Sequence, residues 1–480
     1  MARSSGRINL PFTNGFYQSR SKPLSSQRCV NWYPNDASIP SLSDSNLYAT
    51  PGLSQVITGL DGIGRGSHSF NGVLYVVAGN KLYRIERTIN PDGSESYAAV
   101  DVGDIPGDAQ VIMASNKNQL IIVVPDAFAF HYNGTTLTDL SGVTNFDGPV
   151  RDVLQVDSVF LFAKSDSNVL FHSAINDGLT YAALDRWEVT QFPITIGMVA
   201  YRGQVYILGE AITVPFYNAS GLQFLFRPIP NGIIDSGLAG TYAKSLFRGS
   251  FVYLGAGENA EQTVWLFSGG SPTNISTEAL DFIIQNESRE SLENARIQRH
   301  SQDGAEFICL WFGEYCFVYD LAAGRWAERR SRIPFGSDYL DTAWRPVTIT
   351  QIYNKVFVTD SSEGILGVID DQIATEYDIE IFRSVVLQPF LNNGTRVKVW
   401  AMEAYFSVGF GGDDKLQMRY SDDGGYTWSQ WISRGLGAVG EYGRRVVFDR
   451  LGSFSNARMV EFQYTGTNPA NFNMLMANVS

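Results

Sequence analysis

The side chains that most often carry chemistry are few or scattered in this chain. Its four histidines, His68, His131, His172 and His300, lack the HxxxH or HExxH spacing that puts two imidazoles on one helical face for a catalytic zinc. The three cysteines, Cys29, Cys309 and Cys316, form no CxxC pair and no Cys/His ligand cluster. Cys309 and Cys316 flank a turn at Gly313-Glu314. Pairing across it sets Trp311 opposite Cys316 and Cys309 opposite Val318, so the thiols are not cross-strand partners. All three read as small core residues of a chain made in a reducing compartment. Carboxylates suited to glycoside hydrolysis are so plentiful, at 49 Asp plus Glu, that their presence discriminates nothing. Gly62-Ile-Gly-Arg-Gly66 lacks the spacing and strand–helix context of a dinucleotide loop and reads as a turn leading into a strand. GxSxG and P-loop patterns are absent, and neither a metal nor a cofactor is expected.

The sharpest local motif is Ser421-Asp-Asp-Gly-Gly-Tyr-Thr-Trp428. It fits the Asp-box pattern S-x-D-x-G-x-T-W, with Ser421, Asp423, Gly425, Thr427 and Trp428 in register. Asp423 can accept bonds from the N–H groups of its own turn, Gly425 permits positive φ, and Trp428 is expected to pack beneath the strands. The box is read as a structural staple. Sialidases carry several such boxes, but a sialidase also needs converging arginines, a Tyr/Glu nucleophile pair and an acid. The densest basic stretch, with Arg329, Arg330 and Arg332, is expected to be a solvated loop or, failing that, a contact with an acidic partner.

The elements that position these residues are overwhelmingly strands. A chain of 480 residues with 36 Lys plus Arg and a net charge of −13 makes a broad phosphate-gripping surface improbable on electrostatic grounds. Apolar residues at 44% can build a large core, and 46 glycines favour turns over long helices. The N-terminal stretch has no apolar core of a secretory signal, and no apolar run approaches the ~18 residues of a membrane-spanning helix. Strand–turn–strand phrases of the type Val73-Leu-Tyr-Val-Val-Ala followed by Leu82-Tyr-Arg-Ile85 begin at positions 73, 119, 158, 204, 250, 306 and 355. That spacing matches a four-stranded propeller blade every ~40–50 residues. The phrase is assigned to the inner strand pair of each blade. A helix is expected within 276–298, capped by Ser276 or Thr277 and inserted between strands within the longest repeat interval. At least six strands follow residue 375, a number suited to a β-sandwich. The fold class is therefore mainly β. Residues 1–60 are an extended arm leading into the propeller, 61–375 a propeller of about seven blades, and 376–480 a sandwich-like domain. Phe12, Phe16, Trp32 and Tyr33 of the arm, with Arg329, Arg330 and Arg332, are candidate assembly contacts.

Several segments together resemble the tail hub, or nozzle, proteins of short-tailed bacteriophages, also called packaged-DNA stabilisation proteins. They are Cys29-Val-Asn-Trp-Tyr-Pro-Asn35, Ala49-Thr-Pro-Gly-Leu53, Gly62-Ile-Gly-Arg-Gly66, Asn80-Lys-Leu-Tyr83, Ile234-Asp-Ser-Gly-Leu-Ala-Gly-Thr-Tyr-Ala-Lys244 and Ala374-Thr-Glu-Tyr-Asp378. The resemblance spans most of the chain and implies a virion protein assembled in the host cytoplasm. It implies a homohexamer below the head-to-tail adaptor ring, bound to a tail needle or plug and to tailspikes or fibres. Such a protein closes the channel after packaging and passes DNA at ejection without sequence-specific binding. Two other classes remain open: a propeller glycosidase cutting host glycans, which requires three arginines converging at one propeller mouth, and a propeller scaffold that binds a cellular peptide.

Overall fold

The computed structural model describes residues 6–36, 42–220, 223–302, 304–336, 338–391 and 395–480. The basic start of the chain, residues 1–5, lies outside them. Among the described residues seven four-stranded antiparallel sheets follow one another around an axis. Blade 1 is Gly64–Phe70, Val73–Ala78, Lys81–Ile89 and Glu95–Asp104. Blades 2 to 5 run through 112–139, 150–188, 197–228 and 244–274 in the same strand order. Blade 6 is Arg296–Gln302, Ala305–Phe312, Tyr315–Asp320 and Arg325–Glu328. Blade 7 takes three strands from Pro346–Ile352, Lys355–Asp360 and Ile365–Asp370. Its fourth strand is Gly52–Thr58, paired from Ile365↔Thr58 to Asp370↔Gly52. The ring is thus closed by the N-terminal part of the chain.

The first strand of each blade stands nearest the axis, and the first strands touch one another around it. The repeated apolar phrase is therefore the second and third strands, the middle of the blade, and not the inner pair. Middle strands meet neighbouring blades on both faces, so they are apolar at most positions, as at Leu120–Val124, where all five residues are buried. Inner strands need close approach instead. A Cβ on Gly64 would lie 2.3 Å from Thr359 Cβ, and one on Gly66 would lie 2.3 Å from Val111 Cγ2. These glycines let blade 1 abut blades 7 and 2.

The C-terminal domain is a two-sheet sandwich completed by N-terminal strands. One sheet is ordered Trp32–Asp36, Ser45–Ala49, Phe472–Val479, Val397–Phe406 and Val446–Asp449, with Gly6–Leu10 also on Phe472–Val479. The other runs Ser26–Val30, Ile379–Val386, Ala457–Gly466, Lys415–Ser421 and Ile432–Gly435. Trp32, Met402, Phe406, Met418, Phe448, Phe462 and Phe472 fill the space between them. Val397–Phe406 is one long strand that pairs with Phe472–Val479 on one side and Val446–Asp449 on the other.

The expected insertion lies between blades 5 and 6, but it is two helices, Glu278–Asn286 and Arg289–Glu293. Thr277 caps the first by accepting from the Leu280 N–H. Ser288 caps the second by accepting from the Ser291 N–H, which breaks the single helix expected there.

Candidate functional site: the propeller axis, its mouth and the junction with the sandwich

The axis holds residues from all seven blades, and their polar groups bond across it. Lys244 Nζ of blade 5 lies 2.7 Å from Asp152 Oδ2 of blade 3, and the same oxygen accepts from the Met198 N–H of blade 4 at 2.7 Å. Ser67 Oγ meets Thr348 and Thr350 hydroxyls at 2.8 and 2.7 Å, and Tyr242 donates to the Gln110 carbonyl at 2.6 Å. His68 Nε2 lies 2.8 Å from Ser115 Oγ, and burial pushes its pKa down to about 4, so the ring is neutral near pH 7. The space left along the axis is about 240 Å³. These groups act as a polar plug that ties blades together. Asp152 and Lys244 were not singled out by spacing, although Lys244 ends the segment Ile234–Lys244.

One end of the axis opens into a mouth of about 670 Å³ bordered by Asp126, Arg151, Glu210, Glu287, Arg289 and Glu293. Arg151 lies 3.0 Å from Asp126 and 2.9 Å from Asp166. Arg289 lies 2.6 Å from Glu293 and 3.3 Å from Glu210. Both mouth arginines are thus already held by carboxylates. Arg65, nearby, is buried and donates to the carbonyls of Ala109, Gly79, Ile105 and Pro106. This is not the free three-arginine cluster that a sialidase reading requires.

The other histidines pack among aromatic rings. His172 lies 5.4 Å from the Phe224 ring, and His300 stacks on Phe307 at 5.2 Å. His131 is buried in blade 2. Cys309 and Cys316 take the register read from the sequence, with Cys309 opposite Val318 and Trp311 opposite Cys316. Burial raises the pKa of all three thiols well above their usual value.

The Asp-box is a loop joining Lys415–Ser421 to Ile432–Gly435. Asp423 accepts from the Thr427 hydroxyl, the Thr427 and Tyr426 N–H groups and the Ser421 hydroxyl. These bonds, led by the Thr427 hydroxyl, hold its carboxyl far below the usual carboxylate range. Ser421 also accepts from Gly425 N–H, and Gly425 sits at φ 90°. Trp428 is not beneath the strands. It is half-buried, with the Arg419 guanidinium 4.8 Å from its ring and 4.5 Å from that of Trp431. Arg419 is itself fixed by Glu461 at 2.6 Å.

The candidate assembly contacts are largely spent within the chain. Phe12 lies in the sandwich core, 4.8 Å from Phe472, and Phe16 in the core of blades 5 and 6, 4.8 Å from Phe317. Trp32 is fully buried and donates to the Ala470 carbonyl at 2.7 Å. Half-buried Tyr33 packs between Tyr48 and Phe307. The basic stretch is not a solvated loop. Arg329 is buried over the Trp344 ring at 3.5 Å, Arg330 lies 3.6 Å from Glu328, and Arg332 lies 3.3 Å from Asp341. Outward contact through Phe12, Phe16, Trp32 or Arg329 would require exposing a packed side chain.

What gathers around these residues is a junction. Val30 pairs in parallel with Glu328 of blade 6 and antiparallel with Ser384 of the sandwich. Arg28 forms two bonds to the buried Glu328, at 2.7 and 2.9 Å. Asn31 donates to the carbonyls of Arg330 and Phe382. Buried Arg383 donates to the Thr50 carbonyl, and Arg329 to that of Pro51.

A plugged seven-bladed propeller, joined by its N-terminal strands to a β-sandwich, is the class of protein that the fold and the junction define. Residues 8–374 match the family model described as the β-propeller of bacteriophage P22 Gp10, and residues 383–480 that of its β-sandwich. The chain belongs to this family, the tail hub proteins of short-tailed phages, and is a structural component of the virion tail. It is similar to the tail hub protein gp10 of Salmonella phage P22, at 23% identity over 428 residues covering 85% of this chain and 86% of that one. Among solved structures it is similar to YCF48 bound to D1 peptide, at 9% identity, TM-score 0.39, and 69% and 98% coverage of the two chains. It is also similar to the N-terminal domain of Nup159, at 10% identity, TM-score 0.40, and 70% and 98% coverage. Among the described residues no helix is long and apolar enough to cross a membrane.

Proposed function

We propose that copies of this chain assemble as a homohexamer below the head-to-tail adaptor and extend the DNA channel. The ring retains packaged DNA, anchors a needle or plug together with tailspikes or fibres, and conducts DNA at ejection. The observation that carries the channel reading is the filled propeller axis. A cavity of about 240 Å³ crossed by the Lys244–Asp152 bridge has no room for a duplex. The conduit of this reading therefore runs between copies, each propeller serving as a solid wall.

Charge supports the same reading. Residues 61–375 hold 21 Lys and Arg against 36 Asp and Glu, whereas residues 376–480 hold 10 against 11. The acidity belongs to the propeller, and the paired arginines of its mouth leave no free cations there to grip phosphate. An acidic wall repels the DNA backbone, so DNA slides without sequence-specific contact. Mass measurement with and without the adaptor ring tests the assembly, with six copies per ring expected in its presence. A chain that stays monomeric on the adaptor ring, or a ring whose lumen is lined mainly by Lys and Arg, overturns the reading.

A further inference from the structure

Beside the insertion helices lies a second cleft, of about 560 Å³, between Arg289–Glu293, the blade 6 turn at Gly313-Glu314 and the hairpin formed by Arg330–Phe335 and Asp338–Ala343. Its wall includes Arg296, Ser291, Asn294, Thr342, Ser361 and Ser362. We infer that this cleft is a binding site for a single carboxylate carried on an extended peptide segment of a partner, with Arg296 as its anchor.

Half-buried Arg296 differs from the chain's other buried and half-buried arginines. Arg28, Arg345 and Arg458 are each paired with a carboxylate, on Glu328, Asp360 and Asp422. Arg65 is satisfied by four carbonyls. Arg296 makes one bond, from Nη2 to the Pro346 carbonyl at 3.1 Å. Its Nε has no partner, and no described carboxylate lies within ion-pair distance. Ser291 Oγ, on the same wall, is likewise without a partner. Arg329 and Arg383 also lack a carboxylate, but Arg329 borders a space of only about 20 Å³ and Arg383 is fully buried and donates to the Ile381 and Thr50 carbonyls. Arg296 combines an unpaired guanidinium with room for a ligand.

The guanidinium is held in place. It lies 4.8 Å over the Trp311 ring, Trp311 stacks on Trp344 at 5.8 Å and 7°, and Arg329 covers the far side of Trp344. Trp311 donates to the Trp344 carbonyl at 2.7 Å and Trp344 to Glu376 at 3.0 Å. A planar fork fixed on an aromatic stack suits the two oxygens of a carboxylate. Burial lowers the Arg296 pKa to about 10, which still leaves it charged at pH 7. Glu290 and Glu314 on the cleft wall oppose added negative charge. They disfavour phosphate and a nucleic-acid backbone, and they favour a carboxylate flanked by basic residues. The inference is independent of the hexamer, because the cleft lies within one chain.

Tryptophan fluorescence titration of the full chain with three short peptides tests it. The peptides are acetyl-Lys-Glu-Lys-amide, acetyl-Lys-Lys-Lys with a free C-terminus, and acetyl-Lys-Gln-Lys-amide as the uncharged control. Binding of the first assigns a side-chain carboxylate, and binding of the second alone a chain terminus; either supports the site, provided the Gln peptide binds about tenfold more weakly. Arg296→Met should weaken binding about tenfold or more. If that variant fails to fold, Glu290→Gln/Glu314→Gln on the exposed rim decides: it removes attraction for the flanking lysines and repulsion of the bound carboxylate alike, so the preference for the Glu peptide over the Gln peptide should widen severalfold. Equal binding of the Gln peptide, binding of inorganic phosphate as tight as that of the carboxylates, or an unchanged Glu-over-Gln preference in the rim variant overturns the inference.

Discussion

Phe16 shows how a single residue changes meaning once its partners are known. Its ring is 3% exposed against Phe317, and its N–H donates to the Trp326 carbonyl at 2.6 Å. Removing a buried phenyl costs roughly 3–5 kcal/mol through lost transfer energy and the cavity left behind. Phe16→Ala is therefore expected to lower the stability of the isolated chain by that order in urea unfolding. Unchanged monomer stability with impaired assembly would instead return Phe16 to the role of an outward contact. His300 gives the pH counterpart. Burial first, and the nearby Arg329 charge second, push its pKa down to about 3. The folded chain keeps the ring neutral, while the unfolded chain takes up a proton below about pH 6.5. Its contribution is thus fully present above about 6.5 and is lost as pH falls toward 3, with a slope approaching about 1.4 kcal/mol per pH unit. His300→Gln should flatten that limb of the stability–pH curve relative to the parent. Parallel curves over this window would exclude the histidine as the cause.

At the scale of elements, the blades were legible where burial is two-sided. The second and third strands carry near-continuous apolar runs, as in Val159–Lys164 and Ser250–Gly255, so seven hairpins stood out. First and fourth strands did not. Inner strands such as Lys244–Phe247 carry the polar groups of the axial plug, and outer strands such as Ser271–Asn274 face water. Neither carries an apolar alternation. The Asp-box bonds were equally legible, because they close within a few residues. Arg296 was not, since its meaning depends on the carboxylate it lacks. The closing strand Gly52–Thr58 could not be assigned from pattern, because its partner Ile365–Asp370 lies some three hundred residues away. Its role gives an element-scale prediction. Without it, blade 7 loses its outer strand and Ile365–Asp370 becomes an exposed edge. A chain starting at residue 61 is expected to aggregate or to lose its cooperative transition, not to fold as an assembly-defective monomer. Circular dichroism and light scattering check this, and a soluble, cooperatively melting 61–480 fragment would sink it.

For the whole molecule the first fifty-eight residues act as a stitch between two bodies. Gly6–Leu10 pairs with Phe472–Val479, and Phe12 and Trp32 enter the sandwich core. Phe16 enters the core of blades 5 and 6, and Ser26–Val30 contributes to both the blade 6 edge and a sandwich sheet. Gly52–Thr58 then closes the ring. Three of the six segments that resemble the tail hub family coincide with this stitching: Cys29–Asn35 is the junction, Ala49–Leu53 runs into the closing strand, and Ala374–Asp378 holds the buried Glu376. The sandwich therefore cannot unfold without withdrawing Trp32 and the strand at Ser26–Val30, and that withdrawal exposes the buried Glu328 and strips Arg383 of its Thr50 partner. Separating buried polar partners costs several kcal/mol in addition to the apolar surface exposed. Propeller and sandwich are accordingly expected to melt together, in one calorimetric transition whose enthalpy matches its van't Hoff value. Cutting the chain near residue 377 should leave two fragments that remain associated and still melt as one. Two resolved transitions in the intact chain, or fragments that part under native conditions, would show that the stitch does not couple the bodies. In the channel wall proposed above, this coupling would spread a load on either body over the fold as a whole.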